Sequence, residues 1–251
     1  MINDSFPTGG LTCSFQDHQL SEFIQIKRRT AAPVSTKLAV EEVGPQDEDL
    51  WVLGPNVHIN SQGESINPNE SSYIWIGHLY KGLGVAPDIS ACHIALPLTC
   101  QPLIELMEML KSIMKHNYFP AVFTIAAFFK AIHYKMIMKK YKNCQMPLIF
   151  GCPGTGKTTV AKCGLALTGT LLQRFWSQGT KEKYMQLCCS GSLPLLIDDP
   201  KSKQAISDLA IALFNGATEG TISRGQVKPT CMAVVTANFT VCEKEKLVYI
   251  L

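Results

Sequence analysis

Eight residues constrain this chain more than any others. Gly151, Cys152, Pro153, Gly154, Thr155, Gly156, Lys157 and Thr158 form an unbroken G-x-x-x-x-G-K-S/T loop. Such a loop carries chemistry in one setting, between a strand and the start of a helix. Both neighbours are present: residues 147–150 read as a short buried strand, and residues 159–167 are compatible with a helix. The glycines let the backbone curl until its N–H groups face a phosphate, and the helix N-terminus adds partial positive charge. In that geometry Lys157 reaches the β- and γ-phosphates of a nucleotide and the Thr158 hydroxyl sits on Mg²⁺. Residues Gly151 through Thr159 are the candidate nucleotide-binding positions.

Two further stretches narrow the chemistry. Residues 193–197, Leu-Pro-Leu-Leu-Ile, form a second apolar strand that ends in Asp198 and Asp199. A carboxylate at such a tip can hold Mg²⁺, and its neighbour can orient or deprotonate an attacking water. Taken alone, the pair is equally an acidic turn closed by Pro200. A third, β-branched strand, Met232 to Ala237, ends in the polar residues Thr236 and Asn238. An Asn there either closes a turn or reaches the γ-phosphate or its attacking water.

The order of these motifs resembles superfamily 3 helicases, viral and plasmid replicative motors related to AAA+ ATPases. In that family a phosphate loop is followed by a strand ending in paired acids, a basic segment, and a strand ending in Asn. The matching stretches here are Gly151–Thr158, Leu193–Asp199, Gly220–Lys228 and Ala233–Asn238. Residues 205–221 also look like the family: a helix, then Phe214, Asn215 and Gly216, then a turn into the basic segment. The ATPase module of phage- and plasmid-type primase–helicases has a similar order, including Phe175, Trp176 and Ser177 and a helix before the acidic strand. The resemblance covers roughly residues 120–240 and implies ATP and Mg²⁺ as cofactors.

Residue roles follow from that resemblance. Thr158 and Asp198 are the implied metal ligands, and Lys157, Asp199 and Asn238 the implied catalytic residues, with Asp199 activating water. Arg224 and Lys228 match a basic hairpin that grips single-stranded nucleic acid, and the family works as a homo-oligomeric ring. Two positions depart from the pattern. Family members often carry Asn or Asp where this chain has Gly154. They also place an arginine finger beyond the Asn-tipped strand, whereas the four arginines here are Arg28, Arg29, Arg174 and Arg224. With the apolar run 247–251 reading as a strand cut near its end, the expectation is a module incomplete at its C-terminus.

Composition is compatible with this and adds little. The 251 residues are 46% hydrophobic, enough for a packed core. The net charge of +3 does not by itself point to nucleic acid. Ten cysteines without a C-x-x-C pair read as reduced thiols, which suggests an intracellular protein, cytoplasmic or nuclear. The most lipid-like stretch, 119–138, holds Lys130, His133 and Lys135 and reads as a buried or amphipathic helix rather than a membrane span.

The expected fold is α/β: a phosphate-loop NTPase with a mostly parallel sheet flanked by helices. The expected organisation is an irregular segment at 1–45, a small β-rich region at 46–96, and a helical lead-in plus ATPase module at 97–251. Trp51 and Trp75 read as core aromatics of the β-rich region. The expected function is an ATP-binding, ATP-hydrolysing module of a replicative-helicase or primase–helicase motor acting in DNA replication. The alternatives are a nucleotide-dependent assembly switch without translocation, or a non-hydrolysing mobile-element remnant.

Overall fold

The computed structural model describes residues 37–40, 43–47, 49–76, 100–170, 174–217, 219–221, 225–238 and 249–250, with isolated positions 22 and 26. The chain divides into two compact units, Met1–Lys37 and Leu38–Leu251. The basic run Lys27, Arg28 and Arg29 lies outside the described residues, as does Arg224.

The second unit is built on a five-stranded sheet. Its strands are β7 (Leu148–Phe150), β8 (Phe175–Trp176), β9 (Leu195–Asp198), β12 (Ala233–Ala237) and β13 (Tyr249–Ile250), in the order β13-β7-β12-β9-β8. All four pairings are parallel. A parallel strand covered on both faces needs no polar side, which is why β7, β9 and β12 read as unbroken apolar runs. Leu148, Leu195, Leu196, Ile197, Val234 and Val235 are all fully buried.

Helices supply the cover: α1 (Gln101–Met114), α2 (Tyr118–Ile132), α3 (Tyr134–Tyr141), α4 (Lys157–Leu167), α5 (Lys181–Cys188) and α6 (Lys203–Asn215). Crossovers between parallel strands are right-handed. From β7 the chain moves across the sheet to the far edge at β8, then returns through β9 to β12 beside β7. The reversal puts α4 on one face, where it packs on α2, and α5 with α6 on the other, where they pack together. Thr180 and Ser202 cap α5 and α6 by accepting from Lys183 N and Ala205 N at 3.3 and 3.1 Å. Gly216, at φ 59°, ends α6 in the left-handed conformation.

Gly164 is the contact point of α4 with α2. A Cβ there would lie 2.4 Å from Cδ2 and 2.9 Å from Cε2 of the fully buried Phe128. Gly164→Ala therefore overpacks the interface. It is expected to cost about 1–3 kcal/mol, against the gain in helix propensity Ala brings elsewhere, measurable by chemical denaturation.

The β-rich region contains an antiparallel sheet of β2 (Gly44–Pro45), β3 (Leu50–Val52), β4 (His58–Asn60) and β5 (Ser65–Ile66), and a parallel pair of β1 (Leu38–Val40) with β6 (Tyr73–Trp75). Trp51 and Trp75 are buried in its core, which also takes in Leu193 from the stretch leading into β9. The Trp51 ring packs against His133 at 5.1 Å between centroids. Ser192 N donates to Val43 O at 2.8 Å, a further tie between this region and the approach to β9.

The stretch 119–138 is not one helix. The helical run Gln101–Ile132 and the helix α3 meet at His133 with a bend of 73°. Beyond the bend, Tyr134 is buried and its hydroxyl donates to Leu213 O at 2.5 Å, drawing α3 onto the end of α6. Among the described residues no single helix is long and apolar enough to cross a membrane.

Candidate nucleotide site

Order reversal in a parallel sheet opens a crevice at the carboxyl ends of the strands on either side of it. Here those strands are β7 and β12. The loop 151–156 leaves β7 at that crevice and runs into α4, whose first turn is closed by Val160 N donating to Gly156 O at 3.0 Å. Gly154 and Gly156 have φ of 78° and 85°, the left-handed region that side chains avoid. A Cβ on Gly154 would meet nothing within 4 Å, so its constraint is purely conformational. Asn and Asp tolerate the same conformation, which accounts for their standing in for this glycine in the resembling family. Cys152, Pro153, Gly154 and Thr155 are exposed, and Thr159 is exposed on the first turn of α4.

The Lys157 ammonium folds back over the loop. It donates to Gly151 O at 2.9 Å and to Cys152 O at 2.7 Å, with Thr155 Oγ1 at 3.4 Å. Thr155 Oγ1 itself donates to Cys152 O at 3.0 Å. The cation thus sits inside the curl that the glycines create.

Ladder register brings the acids to the loop. β12 lies between β7 and β9, with Thr236 opposite both Ile149 and Asp198. Thr158 Oγ1 donates to Asp198 Oδ1 at 2.7 Å, joining residues 40 positions apart. Thr236 Oγ1 donates to the same oxygen. Asp199 turns the other way. Its φ of 47° is left-handed, its N donates to Thr236 O at 2.8 Å, and its carboxylate accepts from Asn238 Nδ2 at 3.1 Å. The adjacent acids therefore have different partners: Asp198 faces Thr158 and Thr236, and Asp199 faces Asn238.

Lys157, Thr158, Asp198, Asp199 and Asn238 thus converge at one end of three adjacent strands. Lys228 is exposed and lies elsewhere, beyond the antiparallel hairpin of β10 (Glu219–Thr221) and β11 (Gly225–Val227). Thr236 stands out in the sequence only as a polar strand end. Its bond to Asp198 depends on β12 inserting between β7 and β9, which no local pattern specifies. Arg174 is 1% exposed and held by carbonyls, which places it in the core rather than at the crevice.

The fold is that of a helicase-like α/β protein. A solved structure described as SCCmec type IV Cch, an active helicase, superposes with a TM-score of 0.55 at 13% sequence identity, covering 89% of this chain and 40% of that one. This chain therefore spans well under half the length of that helicase. No family model matches the chain, and no curated protein matches it.

Proposed function

We propose that this chain is the ATP-binding and ATP-hydrolysing module of a nucleic-acid motor of replicative-helicase or primase–helicase type. The observation that supports it most is the meeting of Thr158 and Asp198 beneath the loop, with Asp199 and Asn238 beside them. Mg²⁺ is a hard cation that takes oxygen ligands and is held by few protein groups. The Thr158 hydroxyl and Asp198 carboxylate, 2.7 Å apart, are a donor set of that kind. When bound, Mg·ATP supplies the γ-phosphoryl group to be transferred, its charge offset by the metal.

The chain's own residues then divide the work. Lys157 and the loop amides hold the β- and γ-phosphates. Thr158 and Asp198 hold the metal, and Thr236 fixes the rotamer of Asp198 through its hydrogen bond. Asp199 orients the attacking water and takes its proton. Asn238, bonded to the Asp199 carboxylate, keeps that group in place and faces the γ-phosphate. Arg224, between β10 and β11 in the sequence, and Lys228, directly after β11, contact the backbone of single-stranded nucleic acid, and the active assembly is a homo-oligomeric ring.

Lys157→Ala removes the cation from the curl and is expected to weaken binding of a fluorescent ATP analogue about tenfold or more, the scale of a charge-assisted phosphate contact. Equal affinity in the two proteins would refute the nucleotide assignment.

A further inference from the structure

Between Glu108 and Glu182 the sequence contains ten lysines and Arg174 and not one Asp or Glu. Against a net charge of +3 for the whole chain, this is a pronounced segregation of charge. Lys157 serves the loop, Arg174 is buried, and Lys130 donates to Gln145 O at 2.9 Å. The densest remaining group is on α3 and its cap: Lys135, Lys139, Lys140 and Lys142, all exposed.

The helix α3 has two unlike sides. Tyr134 is buried, and Ile137 and Met138 pack against the main core. Lys135, Lys139 and Lys142 follow at spacings that put them on one face. Tyr141 is 60% exposed, with Lys140 Nζ 5.3 Å from its ring centroid. A helix that lies in a membrane turns a broad apolar face outward, whereas α3 turns Tyr134, Ile137 and Met138 inward and leaves Met136 as its one exposed aliphatic side chain. Lysines beside an exposed aromatic ring suit single-stranded nucleic acid, with cations on phosphates and a ring for a base to stack on.

Topology places this helix beside the hairpin. From α3 the chain passes through residues 142–147 into the amino end of β7, and from α6 through the β10–β11 hairpin into the amino end of β12. These strands are adjacent and parallel. Cys144 N donates to Phe214 O at 3.4 Å and Tyr134 Oη to Leu213 O, and a Cβ on Gly216 would lie 2.7 Å from Met138 Cε. The α3 lysines and the segment bearing Lys228 thus lie at the amino edge of the sheet, opposite the nucleotide crevice.

We propose that α3 and its cap form a second phosphate-binding surface, continuous with the hairpin, that tracks single-stranded nucleic acid along the amino edge. This rests on the motor reading and assigns it a further binding site. The test is fluorescence anisotropy with labelled single-stranded DNA and RNA oligonucleotides over a salt series. It compares wild type with a triple variant, Lys135→Gln, Lys140→Gln and Lys142→Asn. Asn suits the left-handed φ of 63° at Lys142. Thermal melting and binding of a fluorescent ATP analogue confirm that the variant is folded.

The triple variant is expected to bind about tenfold more weakly at low salt. With roughly 0.7 counterions released per phosphate contact on single strands, its log–log salt slope should be shallower by about 2. If wild type binds and the triple variant matches it in affinity and slope, the α3 surface is refuted while the motor reading survives. If wild type binds neither DNA nor RNA at low salt, the motor reading fails and the surface with it. Lysine-dependent binding to phosphatidylserine vesicles, without lysine-dependent binding to nucleic acid, would overturn the proposal in favour of an anionic lipid surface.

Discussion

Asp199→Asn is expected to bind ATP as wild type does and to hydrolyse it at least about a hundredfold more slowly, the usual scale for losing a general base. The substitution is a clean one here. Asp199 has a φ of 47°, and Asn is among the few side chains that accept that conformation without strain. The Asn carboxamide oxygen can still accept from Asn238 Nδ2, so the local hydrogen bond survives while the basic oxygen is lost. Asp199→Ala would confuse the result by adding backbone strain. The matched experiment is Asp198→Asn, which touches the carboxylate that Thr158 and Thr236 hold and should weaken Mg²⁺-dependent binding. Phosphate release and binding of an ATP analogue, measured on both variants, separate the roles. If Asp198→Asn alone keeps binding and loses turnover, the two assignments are exchanged.

Arg174→Ala is expected to be the most damaging substitution outside the crevice. The guanidinium donates to Leu187 O at 3.1 Å, Ser190 Oγ at 2.7 Å, Cys231 Sγ at 3.3 Å and Pro194 O at 3.4 Å, and also to Leu193 O. No carboxylate is among these partners. Leu187 lies in the last turn of α5, where the helix dipole favours a cation. Hydrogen bonding to Cys231, followed by burial, holds the Cys188 thiol above its usual range, so it stays neutral beside the guanidinium. Truncation would remove the guanidinium from the buried Leu193 and Pro194 carbonyls and open a void. A loss of about 3–5 kcal/mol is expected, from buried acceptors left unpaired at about 1–3 kcal/mol each together with the cavity, and chemical denaturation would measure it. Arg174→Lys should fall between, since an ammonium has three donors where the guanidinium has five. Full stability of the alanine variant with loss of turnover would instead make Arg174 a residue of the reaction.

The parts of this fold that the sequence reveals are those decided locally. The strands at 148–150, 195–198 and 233–237 are short apolar runs, the last two with polar tips, and they lie within the stretches expected of them. The start of α4 at Lys157 precedes the expected Thr159 because the left-handed Gly156 turns the chain directly into the helix. What stays hidden depends on distant partners. The bend at His133 follows from Tyr134 reaching a carbonyl 79 residues away. The order of strands decides that Thr236, rather than another polar strand end, meets Asp198. Arg174 sits next to Phe175 and Trp176 and carries no sequence mark of its burial; only the carbonyls gathered from Leu187, Leu193 and Pro194 disclose it.

β12 has a consequence for how this molecule could transmit force. It is hydrogen-bonded along both sides, to β7 and to β9, so it can neither lengthen nor turn over without breaking two ladders. Its five residues span about 17 Å. One end continues from the segment that bears Lys228, and the other delivers Thr236 and Asn238 to the two acids. A rod gripped along its length moves as a whole. A load applied at the amino edge would therefore shift β12 together with β7 and β9, carrying the loop and both carboxylates as one piece.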